Sequence, residues 1–492
     1  MDIVLAGYNI DYETIREIQT ALPGRDDLTP ETISAAYARI SRNPLPVNEL
    51  RGVARREVDK ARKSNRAIVF DMGHNSVAEH AVFNIDVIGV SRLIVEEIEK
   101  FRLCSFTEKS QRYIRLEDDF VVPDEVHATG LADLFVETIG EQNSLYHELY
   151  ERLRTYVFET NSDLAADPAN RLLLEGWAKE DARYIVSLAT EAQLGMTVNA
   201  RNLELMLRRS AAHPLREVNA YGRNLYRAIA GVAPSLIRYT DADDFDRLTR
   251  ADLKRSASVL TAETTPGDGD RTHVLGRNEN VVLIDATPGG DDRIIAALLH
   301  SSTDLPLDRC LSVVAEMDRS RKEGIVREAF RHSRSYYPPL REFEYADMTF
   351  EVTVSASCFA QLKRHRIATL TGQEYNPDLG VTIPRAVQAI GMEGRFMETV
   401  DRTEDTFNRI RSVAPAAAPY ILTNAHRKRV AIQVNVRELY HISRLREDQS
   451  AQWDIRETVA RMVVLGREVM PLTLMMACGK DCFESLQGAL AE

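Results

Sequence analysis

The sequence predicts an α+β protein made of two tandem copies of one domain, each with an antiparallel sheet flanked by long helices. The prediction depends on strand-like segments that are few and cluster early in each half, on the long helical segments that follow them, and on the same motif order in both halves. Strands and helices that are grouped, instead of strictly alternating, are typical of α+β folds. A chain of 492 residues is also too long for one ordinary hydrophobic core.

The repeat is visible in paired segments. These are residues 1–18 and 278–299, residues 80–102 and 345–366, and residues 196–209 and 432–446. The first pair combines an apolar strand with an acidic helix start, and the second alternates like a strand before changing to helical spacing. In both copies a long amphipathic helix follows the third segment and ends near Pro234 or Pro471. Tandem duplication is the simplest explanation.

The boundary between the copies is predicted from composition. Residues 246–277 are rich in Ser, Thr, Gly and Asp towards their C-terminal end, which is typical of a linker or an exposed loop. We therefore expect a first domain over residues 1–245, a linker over residues 246–277 and a second domain over residues 278–492.

Composition indicates a folded, cytoplasmic protein that binds neither nucleic acid nor a membrane. Hydrophobic residues make up 44% and charged residues 28% of the chain. There is no apolar run of roughly 18 residues and no evident secretory signal. The net charge of −12 argues against general nucleic-acid binding, although a local arginine cluster can hold a small anion. The five cysteines are scattered, as is typical of reduced thiols, and we expect no metal site.

A basic triplet, Arg364-His365-Arg366, ends a helical segment in the second half. Guanidinium groups offer a planar fork of donors that suits phosphate or pyrimidine oxygens. Taken alone, such a triplet is more often a solvated helix end, and Asn435-Val436-Arg437 is more often an N-cap with a surface arginine. The two segments gain meaning only from their order along the chain.

Set in order, the motifs resemble those of the flavin-dependent thymidylate synthase family. They are HNSVAEH at 74–80, SFTEKSQRY at 105–113 and NAR at 199–201 in the first half, and QLKRHR at 361–366, NVR at 435–437 and AQWDIR at 451–456 in the second. The family pattern has H-x-(S/T)-x-x-E-H, then R-H-R-x-x-S-x-x-E-x-S-x-R-Y, then N-A-R and a later arginine. The resemblance covers nearly all of the chain, once per half.

Each half keeps a different part of the longest motif. The first half has Lys100-Phe101-Arg102 instead of R-H-R but retains E-x-S-x-R-Y, whereas the second half retains R-H-R and continues IATLTGQEYNP. Family members are homotetramers whose sites combine residues of different subunits. The resemblance therefore implies one composite site per chain, one degenerate site, and a homodimer that reproduces the four-domain assembly.

The resemblance also assigns residues. Positions that match flavin contacts are Arg364, His365, Arg366, Ser76, Glu79, Asn435, Arg437, His441, Asn199 and Arg201. Positions that match nucleotide contacts are Gln361, Glu108, Ser110, Arg112, Arg183 and Arg446. Arg446 would stabilise negative charge that develops on the pyrimidine, and Arg364, placed near flavin and nucleotide, is the second candidate for a catalytic role. Only Glu344 of the second half matches the HNSVAEH segment, and the counterpart of Arg183 is Pro419.

The implied reaction is the transfer of a one-carbon unit from methylenetetrahydrofolate to C5 of dUMP, with FAD reduced by NADPH as the hydride source. It needs no cysteine nucleophile, in keeping with cysteines that lack basic neighbours in sequence. Two alternatives stay open. In the first, the chain keeps the fold and binds flavin or nucleotide without catalysis. In the second, it is a related flavin-dependent enzyme that modifies C5 of another pyrimidine nucleotide.

The unequal triplets yield the first testable prediction. Arg364→Ala is expected to abolish flavin retention, because the resemblance places this guanidinium at the flavin, whereas Lys100→Ala is expected to leave retention intact. The measurement is the flavin absorbance of each purified variant. Equal losses in both variants would contradict the idea of one composite site.

Overall fold

The computed structural model describes residues 9–25, 27–39, 43–72, 74–112, 114–264 and 280–491. The chain divides into two compact units. Unit 1 contains the described residues of Met1–Lys109, Phe120–Gly130 and Glu191–Thr265, and unit 2 contains those of Ser110–Asp119, Leu131–Thr190 and Pro266–Glu492. Segments of the first sequence repeat therefore lie in both units.

Most of each unit is helical. The described helices of unit 1 are Tyr12–Ala21, Glu31–Arg39, Val47–Arg56, Val58–Arg66, Arg92–Glu99, Asp124–His127, Ala200–Ala211, Arg216–Ile229 and Asp244–Thr264. Those of unit 2 are Ala132–Thr160, Ser162–Ala165, Arg171–Ala182, Gly290–Ser302, Leu307–Ala315, Arg319–Phe330, Ala356–Leu362, Arg385–Ala389, Glu393–Val413, Val436–Arg446, Trp453–Val469 and Phe483–Ala491. None of these helices is long and apolar enough to cross a membrane.

Each unit has one small sheet. The strands of unit 1 are β1 (Val82–Ser91), β2 (Ser105–Glu108) and β3 (Glu191–Asn199), in the order β1-β3-β2. The strands of unit 2 are β4 (Val281–Ala286), β5 (Asp347–Ser355), β6 (Thr369–Gly372) and β7 (Arg427–Asn435), in the order β4-β5-β7-β6. All pairs are antiparallel, so the predicted α+β class with antiparallel sheets is confirmed.

The two sheets repeat one plan. Val82 of β1 pairs with Asn199 of β3, and Asp347 of β5 pairs with Asn435 of β7. The expectation that strands cluster early in each half was incomplete, since β3 and β7 follow long helices and hydrogen-bond to a strand on each side. Their alternating burial is the pattern of a strand with one face on the core. The strand predicted within residues 1–8 lies outside the described residues.

Polar caps end the strands and start the helices that follow. Ser355 accepts a hydrogen bond from the backbone N–H of Cys358, and Asn435 accepts one from that of Glu438. Ser91 and Asn199 do the same in unit 1. Such side-chain caps satisfy backbone donors that have no partner inside the helix. The caps thus fix where each strand gives way to the helix that carries candidate site residues.

The core of unit 2 joins both repeats. Helix Ala132–Thr160 of the first repeat packs against helix Glu393–Val413 of the second in a buried apolar cluster. Between them, the Thr138 and Thr406 hydroxyls lie 2.9 Å apart, and the Gln142 side-chain amide donates to Thr403 (2.8 Å) and to the carbonyl of Ile421 (2.9 Å). Buried polar groups that are paired in this way specify one register of packing.

Equivalent segments of the two repeats also pair through their backbones within unit 2. The N–H of Leu188 donates to the carbonyl of Leu422 (2.7 Å), and the N–H of Asn424 donates to that of Val186 (2.9 Å). Next to these, the backbone N–H of Ala189 donates to the carbonyl of Tyr420, and the backbone N–H of Ala425 donates to the carbonyl of Tyr184, each at 2.9 Å. Each contact has its mirror image, as in a two-fold interface between identical subunits.

The predicted linker contains regular structure. Helix Asp244–Thr264 covers its first part, and residues 265–277 lie outside the described residues. The Ser and Thr residues of SASVLT favour a loop in the sequence, but in the structure they lie on a helix whose residues 250–261 are exposed. Exposed helix positions tolerate such residues at a small cost in propensity.

Candidate functional site

The basic triplet has an alternating exposure that the sequence alone does not reveal. Helix Ala356–Leu362 ends just before it, with Arg364 and Arg366 exposed and the His365 residue only 3% exposed. His365 is therefore part of the interior of unit 2. The two arginines on either side reach the surface.

Arg446 is the last residue of helix Val436–Arg446, and its side chain contacts the triplet. Its Nε–H donates to Nε2 of His365 at 2.9 Å, and its Nη2–H donates to the carbonyl of Gln361 at 3.1 Å. Burial, together with the positive charges of Arg364 and Arg112, lowers the pKa of Arg446 to about 10. A guanidinium so placed is stabilised by a negatively charged ligand.

Arg112 brings the first repeat into this site. Its Nε pairs with the carboxylate of buried Glu180, and its Nη2–H donates to the carbonyl of Ser450 at 3.2 Å. The Ser110 hydroxyl accepts from the backbone N–H of Arg112 at 3.2 Å. We call Arg112, Arg364 and Arg446 the arginine cluster. It joins part of the first-half motif to R-H-R of the second half within unit 2.

Gln361 lies beside the arginine cluster and is buried. Its side-chain amide N–H donates to Oε1 of Gln452 at 3.4 Å, while its own Oε1 has no hydrogen-bond partner in the described part of the chain. The Gln452 amide in turn donates to the Tyr184 hydroxyl at 2.8 Å, which donates to Asp454 at 2.9 Å. The AQWDIR segment thus supports Gln361 through a buried polar chain.

Arg183 is placed at the interface of the repeats. Its residue is 5% exposed, and its carbonyl accepts from the Asn424 side-chain amide at 3.0 Å. Its positive charge acts on Tyr184 and Asp181. Burial raises the pKa of Asp181 to about 7, against the effect of a hydrogen bond from Trp453. A phosphate contact by Arg183 stays a prediction.

The N-x-R segments make matching ion pairs in the two repeats. In unit 2, Nη1 of Arg437 lies 3.1 Å from Oε1 of Glu344. In unit 1, Nη1 of Arg201 lies 2.5 Å from Oε1 of Glu79. The asparagine of each segment, Asn435 or Asn199, has its side-chain oxygen engaged in the helix cap. The matching pairs agree with the alignment of Glu344 to the HNSVAEH segment.

The degenerate triplet has different contacts. Lys100 pairs with Glu97, and the Arg209 guanidinium lies 5.9 Å from the ring centre of Phe101. The counterpart of Arg446 in this repeat is Ser210, and Arg209, one position earlier, makes a cation–π contact with Phe101 instead. A phenylalanine ring offers no acceptor nitrogen, so this copy cannot position an arginine in the same way.

The predicted residues divide between the two units. Those in unit 1 are Ser76, Glu79, Glu108, Asn199 and Arg201, and those in unit 2 are Ser110, Arg112, Arg183, Gln361, Arg364, His365, Arg366, Asn435, Arg437, His441 and Arg446. Ser76 is exposed on a short 3₁₀ turn, and Glu108 ends β2. The flavin and nucleotide roles of all these positions stay predictions.

Three residues at this site were not singled out from the sequence. Glu180 anchors Arg112, Gln452 supports Gln361, and Glu438 lies beside His365. The AQWDIR segment was a usable signal for Gln452. Glu180 and Glu438 stand on helices with no distinctive spacing, so only the folded structure identifies them.

Comparison with known proteins shows the family. Residues 26–235 and 282–472 both match the thymidylate synthase complementing protein family, and the chain belongs to that family with two copies of its domain. The predicted resemblance and the tandem arrangement are thereby confirmed. Family membership supports a nucleotide-modifying enzyme in a family with flavin-dependent members.

Relatives of two kinds match this chain. A UPF0159 protein of Thermoplasma acidophilum is 23% identical over 469 residues, covering 87% of this chain and 91% of the relative. A flavin-dependent thymidylate synthase of Geobacter sulfurreducens is 29% identical over 217 residues, covering 42% of this chain and 81% of the relative. A solved UMP/dUMP methylase structure from Streptomyces cacaoi aligns at 17% identity and a TM-score of 0.33, over 41% of this chain and 95% of that chain.

The arginine cluster yields the second prediction. Arg112→Ala is expected to weaken dUMP binding by roughly tenfold to a hundredfold, the effect of one charge-assisted hydrogen bond, without removing flavin. Isothermal titration measures the dissociation constant. Arg115→Ala is the matched control, because its exposed guanidinium pairs with exposed Glu151. Unchanged affinity in Arg112→Ala would remove the first repeat from nucleotide binding.

Proposed function

We propose that this chain is a flavin-dependent enzyme that adds a one-carbon unit to C5 of a pyrimidine nucleotide, with dUMP as the substrate. Methylenetetrahydrofolate is the proposed carbon donor and NADPH the proposed reductant. The site is composite, since Arg112 comes from the first repeat and Arg364 and Arg446 come from the second. One such site per chain is proposed.

The observation that carries the proposal is the arginine cluster beside an unsatisfied acceptor. Burial and two other positive charges lower the pKa of Arg446, and a nearby phosphate or charged pyrimidine oxygen offsets the cost of keeping it charged. Gln361 Oε1 lacks a partner in the described chain, and a uracil ring offers an N–H donor of the required kind. Together these groups are suited to an anionic pyrimidine nucleotide.

The residues of unit 2 also fit a flavin. Arg364 and Arg366 are exposed and cationic, and a pyrophosphate such as that of FAD suits guanidinium donors. His441 is exposed as well, with its ring centre 5.8 Å from that of His365. Bound FAD would supply the hydride. The side chains bind and orient, and Arg446 stabilises negative charge on the pyrimidine.

We further propose that the protein is a homodimer located in the cytoplasm. A homodimer would assemble four copies of the family domain, and it would allow unit 1 residues such as Ser76, Glu79, Asn199 and Arg201 to contribute to flavin binding. The cytoplasm is the proposed location. It would supply the nucleotide, the folate and NADPH, and it suits the free thiols of this chain.

The direct test is product formation. Purified protein with FAD, NADPH, methylenetetrahydrofolate and dUMP is expected to yield dTMP, measured by chromatography. Arg446→Ala is expected to lower the turnover number by roughly a hundredfold or more, as for other groups that stabilise charge in a transition state. Binding of dUMP without product would indicate a non-catalytic binder, and product from UMP instead would indicate a different C5-modifying enzyme.

A further inference from the structure

A buried glutamate and a buried histidine face each other behind the arginine cluster. Glu438 is 6% exposed and His365 is 3% exposed. Oε1 of Glu438 lies 3.9 Å from Nδ1 of His365, and neither atom has a hydrogen-bond partner in the described part of the chain. Buried polar atoms without partners are rare and costly, so this pair calls for a function.

The contact with Arg446 determines which histidine nitrogen carries the proton. A guanidinium can only donate, so Nε2 of His365 must be the acceptor of its Nε–H. The ring proton of neutral His365 therefore lies on Nδ1, on the side of Glu438. Burial and the charges of Arg446 and His441 lower the pKa of His365, which keeps the ring neutral.

The proton on Nδ1 of His365 also disfavours a metal ion at this position. His365, Glu438 and His441 have ligand atoms within 4.8 Å of one another. A metal at Nδ1 of His365 would have to displace its proton, while Nε2 already accepts from a permanent donor. The neutral ring has only one free lone pair, and Arg446 occupies it.

We propose that Glu438 is a positioning residue whose carboxylate accepts the Nδ1–H of His365, so that Nε2 of His365 holds the Arg446 guanidinium toward a bound pyrimidine nucleotide. The inference rests on the proposed function for the identity of the ligand. The 3.9 Å separation is about 1 Å longer than a hydrogen bond, a gap that a small side-chain movement closes.

The charge of Glu438 makes the hydrogen-bond chain from Glu438 through His365 to Arg446 depend on pH. Burial raises the pKa of Glu438 to about 7, and Arg437 opposes that rise. The charged or titratable groups around it are His365 and Arg364 of the triplet, Arg437, His441 and Arg446 of its own helix, and Glu344 of the adjacent 3₁₀ turn. The carboxylate therefore predominates above pH 7, where it strengthens the hydrogen bond, and is neutralised below.

The first test compares Glu438→Gln with the full-length parent protein in dUMP titrations from pH 6 to pH 8.5. Both proteins carry a neutral group at pH 6, so their dissociation constants should agree there. Above pH 8 the variant is expected to bind roughly threefold to tenfold more weakly, the effect of one hydrogen bond. Titration of the phosphate affects both proteins equally and cancels in the ratio.

Two further variants complete the design. Glu438→Leu removes the acceptor and is expected to weaken binding at every pH, whereas Glu447→Gln, at the end of the same helix and bonded to Ser443, should bind like the parent protein. A dUMP affinity of Glu438→Leu equal to that of the parent would overturn the proposal. So would one zinc ion per chain, bound by the parent and lost in Glu438→Gln.

A ligand-free measurement separates this inference from the proposed function. Nitrogen-15 spectra of the histidines, assigned with His365→Asn, should show His365 protonated on Nδ1 and sensitive to Glu438→Gln. If dUMP does not bind at all, the proposed function fails, and the spectra still decide the link between Glu438 and His365. A ring protonated on Nε2 would contradict the inference.

Discussion

The backbone pairing of residues 184–189 with residues 420–425 is the contact on which the rest of unit 2 depends. Its mirrored hydrogen bonds, from Leu188 to Leu422 and from Asn424 to Val186, join equivalent segments of the two repeats as a two-fold interface would. The pairing anchors first-repeat residues in a buried apolar cluster to which both repeats contribute. The pairing joins the repeat that supplies Arg112 to the repeat that supplies Arg364 and Arg446.

The proposed composite site would explain how the two copies of one motif diverged. A site that takes Arg112 from one repeat and Arg364 and Arg446 from the other needs each motif element only once. The unused copy is then free to change, as Phe101 beneath Arg209 illustrates. The buried supports follow the same division, since Glu180 belongs to the first repeat and Gln452 to the second.

The sequence predicted the class of fold, the duplication and the family because these depend on periodicity and on motif order. It could not predict that Asp244–Thr264 is helical, since composition reports exposure and not backbone conformation. Nor could it place Arg364 and Arg366 at the surface with His365 buried between them. That depends on Arg446, 81 residues after His365, approaching the imidazole in the folded chain. The sequence does not identify Glu438 either, because its position beside His365 arises only in the folded chain.

The central claim is that each chain builds one composite site, and the flavin content of the purified, FAD-saturated protein tests it most directly. Flavin released by denaturation and divided by the protein concentration gives the number bound per chain. We expect one flavin per chain, because R-H-R occurs only in the second repeat, where it lies with Arg112 of the first repeat in unit 2. Two per chain would mean that the Lys100-Phe101-Arg102 copy also binds cofactor. None would mean that the protein keeps the family fold but does not bind flavin.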